Sequence, residues 1–192
     1  STFRVGTDKT TKADTVPFGC FRKNIFDRIG FFDTELVRNQ DDEFNGRIIK
    51  NGGTIYLIPS ISLDYYARDT IGKMAKMFYQ YGLFKPLVNK KLGSPATIRQ
   101  FFPLLFVLGL IVGGALSLFS PYVAILYISV IILYFLLALM FSIREAKDKK
   151  DWKLMLIMPF TFFAIHVSYG LGYLVGLFKI LFKKKFTVES NR

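Results

Sequence analysis

Two stretches of this chain carry no charge over nearly the length of a membrane span: Phe101 to Phe119 and Tyr122 to Phe141, divided only by Ser120 and Pro121. Backbone amides and carbonyls find no water inside a bilayer. An apolar run of roughly 20 residues must therefore close its hydrogen bonds within itself, as an α-helix. The short Ser-Pro break makes the pair a helical hairpin, and Gly109, Gly113 and Gly114 on its first arm suit close contact between helices. A third apolar run, Leu154 to Phe182, is interrupted by Pro159, Gly170, Gly172 and Gly176. Heptads, repeats and low-complexity tracts are absent from the chain.

Hydrophobic residues make up 52% of the 192 residues and charged ones 21%, so the charges must be segregated from the apolar blocks. The formal charge of +12 is concentrated beside those blocks. Lys85, Lys90, Lys91 and Arg99 precede the first run. Arg144, Lys147, Lys149, Lys150 and Lys153 follow the second, and Lys179 and Lys183 to Lys185 close the third. That distribution points to cytoplasmic loops against an anionic membrane rather than to nucleic acid. Basic segments on one side throughout require an even number of crossings. Leu154 to Phe182 is too short for two helical crossings. It is expected to dip in and return through a break at Pro159 or the glycines, or to lie along the interface, with a plain third span as the alternative. A single cysteine, Cys20, excludes an internal disulfide and a cysteine zinc site, and it reads as a small buried residue. Ser1 is followed by no signal-peptide pattern, so the chain reads as a fragment or a processed product.

Ahead of the apolar runs, Ser1 to Asp14 is polar and reads as a loop or edge connection, with Asp8 and Asp14 solvated. Arg22 to Ile29 forms a short helix with Ile25, Phe26 and Ile29 on one side, ended by Gly30. In Arg38 to Arg47, three carboxylates arrive just as a helical apolar pattern begins at Phe44 and Ile48, and Gly52 and Gly53 terminate it. Acids in a first turn complement the helix dipole, and Glu43 is spaced to pair with Arg47. Thr54 to Ile58 reads as a strand stopped by Pro59, and Ile61, Leu63 and Tyr65 alternate as a second strand should. Strand, helix and strand in this order suit the closing part of an α/β domain. Thr70 to Tyr81 places Ile71, Met74, Ala75 and Phe78 opposite Lys73, Lys76 and Gln80. This is an amphipathic helix fit for a cytoplasmic membrane interface, and Pro86 to Gln100 follows as a basic linker. Arg68, between strand and helix, is an interface-level cation able to meet diphosphate oxygens. His166 has two readings: with Tyr169 it touches a lipid phosphate, or it forms a hydrogen bond within the helix bundle.

Val16-Pro17-Phe18-Gly19-Cys20-Phe21-Arg22, Gly30-Phe31-Phe32-Asp33, the acidic stretch, Arg68 and Tyr81-Gly82 stand in an order that is itself informative. On these residues, Val16 to Lys85 resembles the second half of a family 2 glycosyltransferase catalytic domain. The type is the membrane-anchored one of succinoglycan and O-antigen assembly. The resemblance implies an α/β fold class, with the C-terminal part of a GT-A-type nucleotide-sugar transferase domain at residues 1–69. An interface helix and linker follow at 70–100, membrane-embedded helices at 101–182 and a basic cytoplasmic tail at 183–192. It implies sugar transfer with inversion from a nucleotide-sugar donor to a lipid-linked or polysaccharide acceptor, at the cytoplasmic face of the plasma membrane. The family reads Glu-Asp-x-Asp/Glu-Leu-x-x-Arg in the acidic stretch. Matching Phe44 to that Leu and Arg47 to that Arg makes Asp41 the base, while Gln40 in place of the family's glutamate leaves Asp42 as the alternative. Gly19 and Arg22 fall in the segment that lines the acceptor side. The family's Asp-x-Asp metal site does not occur in this chain. A divalent Mn or Mg ion is thus expected only for the full-length enzyme, with ligands outside these residues, and the chain alone should be silent. Two rival readings are a processive synthase, whose Gln-x-x-Arg-Trp motif is replaced here by Gln80-Tyr81-Gly82, and a non-catalytic membrane adaptor.

Overall fold

The computed structural model describes residues 9–16, 18–61, 64–95 and 97–187. Its elements in order are β1 (Thr11–Ala13), α1 (Asn24–Ile29), α2 (Gln40–Lys50), β2 (Ile55–Leu57), α3 (Ile71–Leu92), a 3-10 turn (Ile98–Phe101), α4 (Phe102–Ser117), α5 (Pro121–Lys149) and α6 (Lys153–Leu181). Asp8, Pro17, Leu63 and the basic tail from residue 188 lie outside the described residues.

α2 is held from below by aromatic packing. Phe44 is fully buried, with Phe32 stacked on it at 4.5 Å, Phe26 stacked at 5.4 Å and Phe21 edge-on at 4.9 Å. Burying a Phe in this way is worth about 1.5–3 kcal/mol. Arg47 pairs with Glu43 at 2.6 Å and also donates to the carbonyls of Ile29 and Phe31. It thereby fixes the Gly30-Phe31-Phe32 turn beneath the helix. α1 ends at Gly30 with φ 80°, and α2 ends at Asn51 and Gly52, where φ is 77°. β1 pairs antiparallel with β2, Lys12 opposite Tyr56.

Three expectations need correction. The described residues Ile61 and Tyr65 are not in a strand, are exposed, and lie outside the two-stranded ribbon of β1 and β2. Cys20 is exposed rather than buried. The helix expected to stop at Tyr81 continues through Pro86 to Leu92, so the basic linker is short. It starts properly, with Thr70 Oγ1 accepting from the amide of Lys73, and it stops at Gly93 in the left-handed region. Pro86 is tolerated in its interior because the ring is buried in a contact with α6, against Gly176.

That contact is backbone on backbone. A Cβ on Gly82 would overlap the carbonyl of Tyr169, one on Gly172 the carbonyl of Tyr79, and one on Gly176 the carbonyl of Leu83. The glycines of the third apolar run are therefore contact points and not breaks, and α6 is one uninterrupted helix that includes Pro159. Three helices, Ile98–Ser117 with its leading turn, Pro121–Lys149 and Lys153–Leu181, are long and apolar enough to cross a membrane.

Their arrangement is not a simple bundle. α4 and α5 are antiparallel: Phe106 stacks on Tyr134, and the Tyr127 hydroxyl donates to the Leu110 carbonyl. α5 and α6 are antiparallel too, with Tyr134 bonded to His166 at 2.8 Å and Phe135 stacked on Phe163. Yet α4 and α6 also run opposite ways: Phe106 meets Phe163 and His166, Gly170 abuts the Pro103 carbonyl, and the Phe101 and Tyr173 rings are 5.8 Å apart. Three parallel rods cannot be pairwise antiparallel. α6 therefore crosses the hairpin obliquely, beginning beside the end of α5 and returning beside the start of α4.

The glycine seam has a direct test. Gly82→Ala should destabilise the protein by about 2 kcal/mol, the cost of overpacking a site that has no room. Gly72→Ala on the same helix meets nothing within 4 Å and should gain up to about 1 kcal/mol from helix propensity. Thermal unfolding in one detergent compares them; equal midpoints would mean that the α3 and α6 backbones part without cost.

Candidate functional site

The start of α2 is docked on the middle of α3. Asn39 adopts the left-handed conformation, φ 59°, which Asn tolerates better than most residues, and its side-chain amide donates to the Tyr81 carbonyl at 2.9 Å. Arg38 Nε donates to Gln80 Oε1 at 2.9 Å. One turn on, Asp42 Oδ2 meets Lys85 Nζ at 2.6 Å and Asp42 Oδ1 accepts from the Thr15 hydroxyl at 3.0 Å. Asn45 donates to Thr15 Oγ1 and to the Val16 carbonyl, so the chain before α1 is drawn against the same helix.

These bonds give two adjacent carboxylates different environments. Successive helical residues point about 100° apart. Asp42 faces Lys85 and Thr15, and both its oxygens are engaged. Asp41 is partly buried, and one of its oxygens accepts from the Asp42 amide at 3.0 Å. Its carboxyl is held above the usual aspartate range, first by burial and then by the neighbouring charge of Asp42, with Lys85 pulling weakly the other way. A raised carboxylate is the better base near neutral pH.

Tyr81, on α3, belongs to the same group. Burial, Tyr65 and the Asp41 charge raise its phenol, while Arg38 and Arg68 oppose that shift. Arg68 Nε is buried without a hydrogen-bond partner, a costly state for a donor and one that an anion would relieve. Asp41, Arg38 and Arg68 thus bring a carboxylate and two guanidinium groups within electrostatic reach of the Tyr81 phenol.

Of the residues singled out in the sequence, Asp41 and Arg68 each act on the Tyr81 phenol, and Asp42 is the ion-paired neighbour of Asp41. Gly19 backs onto the aromatic cluster, where a Cβ would lie 2.6 Å from Phe21 Cζ. Arg22 is exposed ahead of α1, with its carbonyl accepting from the Ile25 amide. Arg38, Gln80 and Lys85 were not singled out; the spacing of Tyr81 and Lys85, one turn apart on a helix, was the available signal. His166 takes its bundle reading through Tyr134. Among the described residues, no three His, Cys, Asp or Glu side chains are grouped to hold a metal ion. The acidic pair does not fit one either, since both oxygens of Asp42 are engaged by Lys85 and Thr15.

Over 168 residues the chain is 27% identical to a Methanococcus voltae protein named dolichyl N-acetyl-alpha-D-glucosaminyl phosphate 3-beta-D-2,3-diacetamido-2,3-dideoxy-beta-D-glucuronosyltransferase. The match covers 87% of this chain and 48% of that protein, so the chain spans about half the length of the curated relative it matches. The similarity is to a glycosyltransferase. No protein-family model matches the chain, and no solved structure does.

The raised Asp41 carboxyl sets an expectation for stability. A folded-state pKa above the unfolded one contributes stability that is complete below the unfolded value and lost as pH rises through the folded value. Asp41→Asn removes that titration while keeping an oxygen for the Asp42 amide. The variant should therefore unfold at a higher temperature than wild type at pH 7 and converge with it below about pH 3. A variant less stable than wild type at pH 7 would show that the ionised carboxylate is a structural group.

Proposed function

We propose that this chain is the membrane-proximal part of a glycosyltransferase that moves a sugar from a nucleotide-sugar donor to a lipid-linked saccharide. The observation that carries the reading is the position of Asp41. It is a desolvated carboxylate on a helix docked to α3, which is packed backbone to backbone on the membrane-capable helix α6. A base fixed at that level can serve an acceptor whose anchor never leaves the bilayer. The Methanococcus voltae relative, whose name states transfer to a dolichyl-linked sugar phosphate, supports the same class of acceptor.

In this reading the domain is of GT-A type, family 2, and the reaction inverts the anomeric centre. Asp41 takes the proton of the acceptor hydroxyl as its oxygen attacks the anomeric carbon, and the carbon–oxygen bond to the diphosphate breaks on the opposite face. Arg38 and Arg68 face the departing diphosphate, for which the planar guanidinium is well suited. A divalent ion, if used, is bound by residues outside this chain and would neutralise the same leaving group. The rigid seating of α2 on α3 holds the base in attack geometry.

The proposed topology follows from the oblique path of α6. The α4–α5 hairpin crosses the plasma membrane and returns, and α6 starts and ends at the hairpin's open end. All three basic segments then lie in the cytoplasm, as their Lys and Arg content favours.

Two measurements test the proposal. In the full-length enzyme, Asp41→Asn should lower kcat by about 100- to 10,000-fold with donor binding near normal, and Asp42→Asn should cost far less. An active Asp41 variant beside a dead Asp42 variant would move the base by one residue. For topology, single cysteines at Phe119, Lys149 and Lys184 in a Cys20→Ser background can be probed with an impermeant thiol reagent on intact cells. Phe119→Cys should label and the other two should not; labelling at Lys184→Cys would establish a third crossing.

A further inference from the structure

A second site lies on the other flank of α2. A cleft of about 480 Å³ is bounded by α2, by the end of α3 and by the residues that lead into α4, among them Ser94, Thr97 and Arg99. That volume falls in the range of small-molecule sites, about 300–1,000 Å³. Its charges do not cancel. Lys85 is neutralised by Asp42 at 2.6 Å, while Asp14 accepts only from the amide of Thr15 and keeps its charge. Lys50 donates to the Leu92 carbonyl at 2.5 Å, which positions its ammonium, and among the described residues it has no acidic partner. Arg99 has no acidic partner among the described residues. Three cations and two carboxylates therefore line one cleft, a net charge of +1, at the point where the chain enters its first membrane helix.

An apolar track leaves the cleft from there. Ile98 and Phe102 are 75% and 61% exposed, and with Leu105 and Val112 they form an exposed stripe at helical spacing down α4. Gly109, on the same stripe, has open space at its Cβ position and makes a shallow trough. A ligand with an anionic head and an apolar chain matches both parts, and a water-soluble nucleotide matches only the first.

We infer that this cleft receives the phosphate of the lipid-linked acceptor, held by Lys50 and Arg99, with the lipid chain running along the Ile98–Phe102–Leu105 stripe of α4. The inference rests on the glycosyltransferase reading for the identity of the lipid. Asp42 lines the cleft, and Asp41 points to the other side of the same first turn, so a sugar attached to the bound phosphate reaches the base around the N-terminal end of α2. The donor diphosphate belongs to Arg38 and Arg68 around Tyr81, and the two phosphate-bearing ligands are kept apart by α2 itself.

The test is binding, with full-length protein in detergent micelles and native mass spectrometry as the readout. The probes are a polyprenyl monophosphate and the corresponding polyprenol. Wild type should bind the phosphate at least about 10-fold more tightly than the alcohol, as charge-assisted hydrogen bonds to two cations allow. Lys50→Gln combined with Arg99→Gln should abolish that preference. Arg99→Lys should retain most of it, and Lys23→Gln, which removes one exposed cation elsewhere, should leave it unchanged. Excess nucleoside diphosphate should not displace the lipid. An unaltered preference in the double variant, or displacement by the nucleoside diphosphate, overturns the assignment. A wild-type protein that shows the preference yet transfers no sugar supports the cleft and sinks the transferase reading instead.

Discussion

The contact on which the rest of this structure depends is the close approach of α3 and α6 through Gly82, Gly172 and Gly176. In lipid, one apolar surface gains nothing by exchanging acyl chains for another apolar surface, so helices associate through tight packing and hydrogen bonds. Three glycines that let carbonyls approach where a Cβ would stand provide that packing here. The consequence reaches in both directions. Outward, α3 carries the docking points of α2, from Gln80 and Tyr81 to Lys85 and Leu92. Inward, α6 carries Tyr173, whose hydroxyl accepts from Asn89 of α3 at 3.0 Å and whose ring meets Phe101 at the head of α4. A carboxylate in the extramembrane part is thereby tied to the membrane helices through a few rigid contacts.

On that platform, one residue of sequence separates two different carboxylates. Asp41 and Asp42 share a helix, a charge and a first turn, and only their directions differ. The direction toward Lys85 and Thr15 provides a cation and a hydroxyl, and the carboxylate there is satisfied. The other direction provides burial and the repulsion of its neighbour, and the carboxyl there is raised. Pairs of acids whose environments diverge are the usual way for a protein to divide chemical labour between like groups. Glu43, third in the series, is spent on Arg47 and so on the Gly30 turn.

Much of this was legible because it is local. The helix starting near Gln40, its stop at Gly52, the Glu43–Arg47 pair, the short helix ended by Gly30 and the Ser-Pro hairpin break are all set by neighbours within a turn or two. What escaped was set by partners distant in sequence. Asp42 and Lys85 are 43 residues apart, and Lys85 stood next to a proline that reads as the start of a linker. Pro86 and the glycines of α6 are ordinary helix breakers when seen alone. In place, each meets the other helix, and burial outweighs the loss of one backbone bond or the entropy of a glycine. Exposure of Cys20 and the lack of strand structure at the described residues Ile61 and Tyr65 have the same origin, since burial and strand pairing both depend on distant segments that the local pattern does not name.

The oblique crossing of α6 bears on a conflict present in the sequence from the outset. Three apolar runs suggest three crossings, whereas the basic residues beside each run suggest an even number. In the proposed topology α6 begins beside the end of α5 and comes back beside the start of α4, which suits the even number. Its mid-length residues Phe163 and His166 meet Phe106 and Tyr134. No broken backbone is required, so no unpaired carbonyl has to be hidden at membrane depth. The lone imidazole at that depth is accounted for as well, because the Tyr134 hydroxyl is its partner. The same geometry packs α6 on α3, the helix to which the acidic site is docked, so one seam of glycines ties that site to the longest apolar helices.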